Sequence, residues 1–180
     1  MKKFLKEYWL LLTIGGVIVI LDQITKAVVR VNIPFGGQWM PLDWLAPYFR
    51  FVHWENTGAA FGFFQGGGII FGILAVIVTV FILIYYPQIP NDEKLMRVAI
   101  SMQLGGALGN LIDRIIFGPV TDFISVGRFP VFNIADSSIT VGVGLLILAL
   151  WITERKEKHA KSSQSQITSP DHSETVDEQV

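Results

Sequence analysis

The stretch from Ile69 to Tyr86 runs for 18 residues without a charged side chain. A helix needs about 20 mostly apolar residues to cross the hydrocarbon core of a bilayer, so this stretch predicts a transmembrane helix. Three further apolar stretches approach the same length, although each of them contains ionisable side chains. The sequence therefore predicts four transmembrane helices, at about residues 8–29, 69–86, 95–117 and 136–152.

The composition agrees with a membrane protein. Apolar residues make up 51% of the 180 residues and charged residues only 16%, against roughly 25% charged in a soluble domain. The net charge of −1 gives no indication of a nucleic-acid partner. The sequence contains no cysteine, which excludes disulfides, thiolate metal ligands and a cysteine nucleophile. The N-terminus is basic and then apolar, like a signal peptide, but no small-residue cleavage motif follows, and we expect it to be retained as the first span.

Basic residues beside the four spans predict the orientation of the chain, because cytoplasmic loops carry an excess of Lys and Arg. One side of the membrane would hold nine of these residues and the other side three. The nine are Lys2, Lys3, Lys6, Lys94, Arg97, Arg155, Lys156, Lys158 and Lys161, and the three are Arg30, Arg50 and Arg128. Both termini are therefore predicted in the cytoplasm, with residues 31–68 and 118–135 outside.

The first outer segment, residues 31–68, is rich in aromatic rather than charged residues. We expect a small strand-containing element on the membrane surface, because aromatic side chains favour the interface, and we expect a turn at "ENTG". The aromatic residues concerned are Trp39, Trp44, Trp54, Phe61, Phe63 and Phe64. Residues 1–160 are predicted to form one membrane domain, followed at 161–180 by a polar, disordered cytoplasmic tail.

Ionisable side chains inside membrane spans are costly, so each of them is a candidate for a functional site. The predicted spans contain five, and a sixth lies just past the third span. The five are Asp22, Lys26, Asp113, Arg114 and Asp136, and the sixth is Asp122. With the orientation above, all six fall in one layer near the outer face.

Each of these residues also has a structural explanation. Asp22 and Lys26 are four residues apart and can form an ion pair that holds helices together. Asp113 and its neighbouring arginine can be boundary charges that reach the lipid headgroups. Asp136, followed by two serines, suits the N-cap of the fourth span, and the acid past the third span can be a loop residue. Taken one at a time, the six residues leave structural and catalytic roles open.

The available side chains restrict the chemistry. Of the three histidines, His159 and His172 fall on the predicted cytoplasmic side, which leaves His53 alone outside and excludes a histidine zinc site or a Ser–His pair. Either serine of "DSSI" could pair with Lys26, but the acid four residues before that lysine would keep its amine charged.

The remaining groups are Asp122 and Asp136, which flank a short loop that must return to the membrane. Two carboxylates that share a site do not both ionise cheaply, so one of them keeps a proton. Such a pair supplies a base to activate water and an acid to donate a proton to the amide, which is the chemistry of an aspartic protease.

Five short stretches carry a resemblance to a known family. They are "LDQITK" (21–26), "ENTGAAFG" (55–62), "GGALGNLIDR" (105–114), "VTDFI" (120–124) and "FNIADSSI" (132–139). Their order and spacing resemble those of lipoprotein signal peptidase, or signal peptidase II, a family of bacterial membrane aspartyl proteases. The resemblance runs from the first span to the fourth and leaves out the residues after about 160.

The resemblance implies an all-α integral membrane protein: a four-transmembrane-helix bundle with a small strand-containing extracytoplasmic cradle and cytoplasmic termini. It implies a multi-pass protein of the bacterial inner membrane, with its site near the extracytoplasmic face. It also implies a catalytic dyad of Asp122 and Asp136 that works without a metal or cofactor. The substrate-binding residues would be Asn56, Asn110, Arg114 and Asn133, with Asp22 and Lys26 as supporting polar residues.

The same resemblance implies the reaction and the partners. The substrate would be a prolipoprotein whose cysteine carries a diacylglyceryl group, embedded among membrane lipids. The peptide bond just before that cysteine would be cut. The cyclic peptide globomycin would be an inhibitor.

Two other classes of function remain open from the residues alone. A small ion-coupled transporter could use the same acids as a proton relay, although they lie on one side of the membrane and the second span carries none. A non-enzymatic scaffold would use them only to cap and join helices. Solute uptake into proteoliposomes without peptide cleavage would favour the transporter. Asp→Asn variants that retain function in cells would favour the scaffold.

Overall fold

Four α-helices account for most of the computed structural model, which describes residues 2–58 and 66–167. They are α1 (Lys2–Asn32), α2 (Gly68–Tyr85), α3 (Lys94–Ile116) and α4 (Ile134–Ile167). Each of these helices contains a segment long and apolar enough to cross a membrane. Two short 3-10 helices lie between them: Asp43–Leu45 between α1 and α2, and Tyr86–Gln88 directly after α2. The predicted fold class, a four-helix membrane protein with a small strand-containing element, is confirmed.

Helix α3 lies at the centre of the bundle and packs against the other three helices. Its small residues allow the close approach, as glycines commonly do between membrane helices. A Cβ at Gly106 would collide with the carbonyl oxygen of Ala135 in α4. A Cβ at Gly109 would lie 2.7 Å from Oδ2 of Asp22 in α1. The glycines of α3 therefore bring polar groups of α1 and α4 to the middle of the bundle.

A three-stranded antiparallel sheet lies beside one end of the bundle. Its strands are β1 (Gln38–Trp39), β2 (Phe49–Asn56) and β3 (Val120–Val126), in the order β1-β2-β3. The register pairs Trp54 with Asp122 across β2 and β3. Strand β3 belongs to the second outer segment, where no strand was predicted. Its first four residues are all buried, so it lacks the alternation of a half-buried strand.

The turn predicted at "ENTG" is confirmed, because β2 ends at Asn56 and the chain bends after it. The side-chain Oδ1 of Asn56 accepts a hydrogen bond from the Gly58 N–H at 3.0 Å. This contact is typical of an Asx-turn and holds the Asn56 amide in one orientation. Among the predicted interfacial aromatic residues, Trp39, Trp44 and Trp54 are exposed. The phenylalanines at 61, 63 and 64 lie outside the described residues.

The prediction of a disordered tail from residue 161 is wrong for its first part, because α4 continues to Ile167. The reason lies in the residues after the membrane span. They include no glycine or proline before Pro170, and Glu154 forms an ion pair with Lys158 at 2.6 Å, four residues on. Such pairs support exposed helices. Residues 168–180 lie outside the described part of the chain.

Candidate active site

A cavity of about 490 Å³ lies at the sheet end of the bundle. It is lined by both predicted catalytic residues, Asp122 and Asp136, together with Asn56, Asn110 and Arg114. Asp122 is on β3 and Asp136 is in the first turn of α4. The structure thus brings the two carboxylates into one cavity, although neither is close to the other in sequence.

Asp122 is 1% exposed and accepts a hydrogen bond on each carboxylate oxygen. Asn133 Nδ2 donates to Oδ1 at 2.7 Å, and Asn56 Nδ2 donates to Oδ2 at 3.0 Å. Burial and, after it, the negative charge of Asp136 raise the pKa of Asp122 to about 7, although the two hydrogen bonds and the charge of Lys26 act in the opposite direction. Asp122 is therefore a carboxyl group that is about half protonated at neutral pH.

The N-terminus of α4 is capped by a reciprocal pair of hydrogen bonds between Asn133 and Asp136. The Asp136 N–H donates to Asn133 Oδ1 at 2.9 Å, and the Asn133 N–H donates to Asp136 Oδ2 at 3.2 Å. This arrangement is a capping box. The interpretation of Asp136 as the N-cap is wrong, because α4 begins at Ile134 and Asn133 occupies the cap position. Asp136 instead lies within the first turn, where the helix dipole favours a negative charge.

Asn110 of α3 connects the dyad to the interior of the bundle. Its Nδ2 donates to Asp136 Oδ1 at 2.8 Å. Its Oδ1 accepts hydrogen bonds from Lys26 Nζ at 3.0 Å and from Asn133 Nδ2 at 3.1 Å. The two donors fix the orientation of the Asn110 amide, because the oxygen must face them and the nitrogen must then face Asp136.

Behind Asn110 lies a cluster of three charged side chains that are fully buried. Lys26 Nζ lies 2.8 Å from Asp22 Oδ2 and 3.1 Å from Asp113 Oδ2. The ion pair predicted from the four-residue spacing is therefore present. The interpretation of Asp113 as a boundary charge is wrong, because its side chain is 0% exposed between α1 and α3.

The same two acids also bind the elements that carry the dyad. Asp22 Oδ1 accepts the Ala135 N–H at 3.0 Å, at the start of α4. Asp113 Oδ2 accepts the Thr121 N–H at 2.9 Å, directly before Asp122 in β3. The cluster consequently sets the relative position of the two aspartate-bearing elements.

Gln23 and Arg30 also contact this cluster, although neither was among the site residues predicted from the sequence. Gln23 Nε2 lies 3.0 Å from the Gly109 carbonyl oxygen and 3.1 Å from Asp113 Oδ1. Arg30 Nη1 donates to Thr121 Oγ1 at 2.9 Å and lies 3.6 Å from Asp113 Oδ1. The spacing of Gln23, Lys26 and Arg30 places them on one face of a helix and could have indicated both residues.

Arg114 is the cationic side chain of the cavity wall. Its Nη1 donates to the Asn110 carbonyl oxygen at 3.3 Å, and its guanidinium lies 5.7 Å from the centre of the Phe71 ring. Its Nε is buried and has no hydrogen-bond partner among the described residues. The guanidinium thus keeps donor capacity for a molecule in the cavity. Within residues 2–58 and 66–167, no three His, Cys, Asp or Glu side chains are grouped as metal ligands.

A four-helix membrane bundle with two aspartates in one cavity, one of them with its pKa raised to about 7, is typical of a membrane-embedded hydrolase of the aspartic type. Comparison of the chain with known proteins supports its assignment to this class. A model of the signal peptidase (SPase) II family matches residues 14–152. The chain therefore belongs to the signal peptidase II family, as its motifs predicted.

Individual relatives show how far the similarity extends. The lipoprotein signal peptidase of Shouchella clausii (strain KSM-K16) is 39% identical over 145 residues, which cover 80% of this chain and 94% of that protein. The lipoprotein signal peptidase of Syntrophotalea carbinolica is 40% identical over 154 residues, which cover 82% and 94%. A bacterial membrane enzyme solved by the in meso method at 2.3 Å resolution has a TM-score of 0.72 and 32% sequence identity, covering 93% of this chain and 94% of that one.

Proposed function

We propose that Asp122 and Asp136 form the catalytic dyad of a peptidase that removes signal peptides from diacylglyceryl-modified prolipoproteins. Membership of the signal peptidase II family makes the chain a hydrolase that processes lipoproteins. The observation that supports the assignment of the dyad is the shared cavity, in which both carboxylates are held by asparagine side chains. The bond cut is the amide just before the lipid-modified cysteine.

In the proposed mechanism, Asp136 is the base and Asp122 is the acid. Asp136 takes a proton from a water molecule, whose oxygen attacks the carbonyl carbon of the scissile amide. Asp122 donates its proton to the carbonyl oxygen, giving a neutral tetrahedral diol. The diol then collapses: Asp136 passes the proton that it took from water to the amide nitrogen, Asp122 takes a proton back from one diol hydroxyl, and the C–N bond breaks. The products are a signal peptide with a new carboxylate and a lipoprotein with a free amino group on its cysteine.

The polar side chains around the dyad are proposed to hold the substrate. Asn56 and Asn133 keep Asp122 oriented, while Asn110 does the same for Asp136. Arg114 offers its unused donor to a peptide carbonyl or to the oxygen that gains charge during attack. Substrate positioning of this kind lowers the barrier because the reacting groups meet already aligned.

The proposed placement is in the bacterial cytoplasmic (inner) membrane, with both termini in the cytoplasm and the dyad near the extracytoplasmic face. The distribution of Lys and Arg supports this orientation. The catalytic unit would comprise residues 1–160. Phe71 of α2 and Ile139 of α4 line the cavity from opposite sides, and this apolar surface suits a substrate whose lipid chains stay in the bilayer. Inhibition by globomycin is proposed from family membership alone.

Lipid dependence tests the proposed function. We expect the purified protein to cleave a diacylglyceryl-modified precursor at least roughly 100-fold faster than the unmodified precursor, because burial of only four methylene groups contributes about 3 kcal/mol. Release of the signal peptide is measured by mass spectrometry, with the Asp136→Asn variant as background. Equal cleavage of both precursors would contradict the substrate assignment. Solute uptake into proteoliposomes without cleavage would favour a transporter.

The alkaline limb of the pH profile tests the role of Asp122. Because its pKa is raised to about 7, the proton that it donates is present below that pH and lost above it. We therefore expect kcat/KM to fall roughly tenfold for each pH unit above about 7. The Asn56→Ala variant removes a hydrogen bond that favours the ionised carboxylate, so its limb should move to higher pH. If the Asn56→Ala substitution leaves the pH at which kcat/KM begins to fall unchanged, Asp122 is excluded as the acid.

A further inference from the structure

Gln103 of α3 has a buried donor that the proposed mechanism does not use. Its Nε2 atom has no hydrogen-bond partner among the residues that the structure describes. Leaving such a group unsatisfied costs free energy, so an unpaired amide in a native structure calls for an explanation. Its carbon stem is held in place by α4, since a Cβ at Gly142 would lie 3.1 Å from Gln103 Cγ.

Gln103 faces a second cavity, of about 340 Å³, between α2, α3 and α4. We call this cavity the inner groove. It is lined on α3 by Gln103, Ala107, Asn110 and Arg114, whose spacing puts them on one helix face. Its other walls are apolar and are formed by Phe71, Leu74, Ala75 and Val78 of α2 and Ile139 of α4. The inner groove shares Phe71, Asn110, Arg114 and Ile139 with the cavity of the dyad, so the two are continuous.

Two unpartnered donors thus face one groove from the same side of α3. Arg114 Nε lies at the dyad end and Gln103 Nε2 lies eleven residues earlier in the chain. Eleven residues are about three turns, or roughly 16 Å of helix, and return to nearly the same face. An apolar groove with two unpartnered donors fits a ligand that presents carbonyl oxygens.

We propose that Gln103 positions the substrate by donating from Nε2 to a main-chain carbonyl of the signal peptide, on the N-terminal side of the scissile bond. This inference rests on the proposed function. A signal peptide reaches the dyad from within the membrane, and the last four carbonyls of its helix have no partner in the helix. Unsatisfied carbonyls at that depth cost several kcal/mol each, and Gln103 would satisfy one of them.

The position of Gln103 indicates that its hydrogen-bond acceptor is a carbonyl of the peptide rather than an ester carbonyl of the lipid. It lies seven residues, or about 10 Å along α3, on the side of Asn110 away from the sheet. An extended peptide covers that distance in about three residues, so the carbonyl is expected about three residues before the cut. The ester carbonyls of the diacylglyceryl group belong to the cysteine, which lies after the cut and nearer the outer face.

The test compares Gln103→Leu with the same change at Gln88, which is exposed at the far end of α2. We expect Gln103→Leu to lower kcat/KM for the lipid-modified precursor roughly tenfold, mainly through KM, as loss of one buried hydrogen bond would do. Gln88→Leu should leave it unchanged. Gln103→Met, which keeps the unbranched stem, should match Gln103→Leu. Wild-type activity in both Gln103 variants would overturn the proposal.

Modified substrates identify the carbonyl without depending on a variant that folds. Precursors with an ester in place of one amide, at two, three or four residues before the cut, present a weaker acceptor. The wild-type protein should be sensitive at one of these positions, and Gln103→Leu should not. A precursor with ether-linked lipid chains should keep the Gln103 effect, and loss of the effect there would assign the hydrogen bond to the lipid and overturn the proposal. Failure of the proposed function itself would instead abolish cleavage by the wild-type protein.

Discussion

Replacement of either Asp122 or Asp136 by Asn is expected to reduce cleavage of the lipid-modified precursor by at least roughly 1,000-fold. The Asp122→Asn variant cannot donate a carboxyl proton, and the Asp136→Asn variant cannot accept one from water. The double variant should be little slower than either single one, because the two groups act as a unit. Single-turnover cleavage of the purified variants measures the effect.

The fold should survive these substitutions. Asparagine keeps the size of the side chain, and each variant loses at most one of the hydrogen bonds that its carboxylate accepts, which costs about 1–3 kcal/mol. Asp43→Asn is the matched control, since Asp43 carries the same charge but is exposed beside the sheet. A folded Asp122→Asn or Asp136→Asn protein with the activity of Asp43→Asn would refute the dyad.

The helices could be predicted because a bilayer leaves the backbone few alternatives. A long apolar stretch in lipid must satisfy its own N–H and C=O groups, which a helix does. The charge-free stretch at 69–86 accordingly differs from α2 (Gly68–Tyr85) by one residue at each end. The polar residues of the spans could be identified by the same reasoning, since only a site or a buried pair compensates for their cost.

The contacts that assemble the site could not be predicted, because they join distant parts of the chain. Lys26 and Asn110 are 84 residues apart, and Asn56 and Asp122 are 66 apart. Strand β3 forms only because β2 lies beside it, and its nearly continuous burial hides it from a search for alternating residues. Spacing predicts which side chains share a helix face, but it does not say which helices meet.

The buried cluster holds the two elements that carry the proposed dyad in a fixed relative position. Strand β3 and helix α4 carry one aspartate of the proposed dyad each, and acids of the cluster bind a backbone N–H group near the start of both elements. Lys26 bridges the two acids and orients Asn110 at the same time. A single lysine therefore connects helix packing with the orientation of Asp136, the proposed base.

Replacement of Lys26 by Met should accordingly destabilise the protein by about 3–5 kcal/mol, the usual cost of removing one partner from a buried ion pair. The change leaves Asp22 and Asp113 buried, and Arg30 is then the one cation among the described residues that contacts them, 3.6 Å from Asp113 Oδ1. Unfolding in detergent micelles measures the free energy. The matched control is Lys94→Met, because Lys94 is exposed at the start of α3 and its loss should cost no more than about 0.5 kcal/mol.

A second substitution separates the charge of Lys26 from its effect on the active site. In the double variant Lys26→Met/Asp22→Asn, Arg30 and Asp113 remain as a balanced pair, and the amide oxygen at position 22 can still accept the Ala135 N–H. We expect most of the lost stability to return, which additive losses of the two single variants would contradict. Cleavage should nevertheless stay roughly tenfold slow, because the orienting hydrogen bond from Lys26 to Asn110 is still missing.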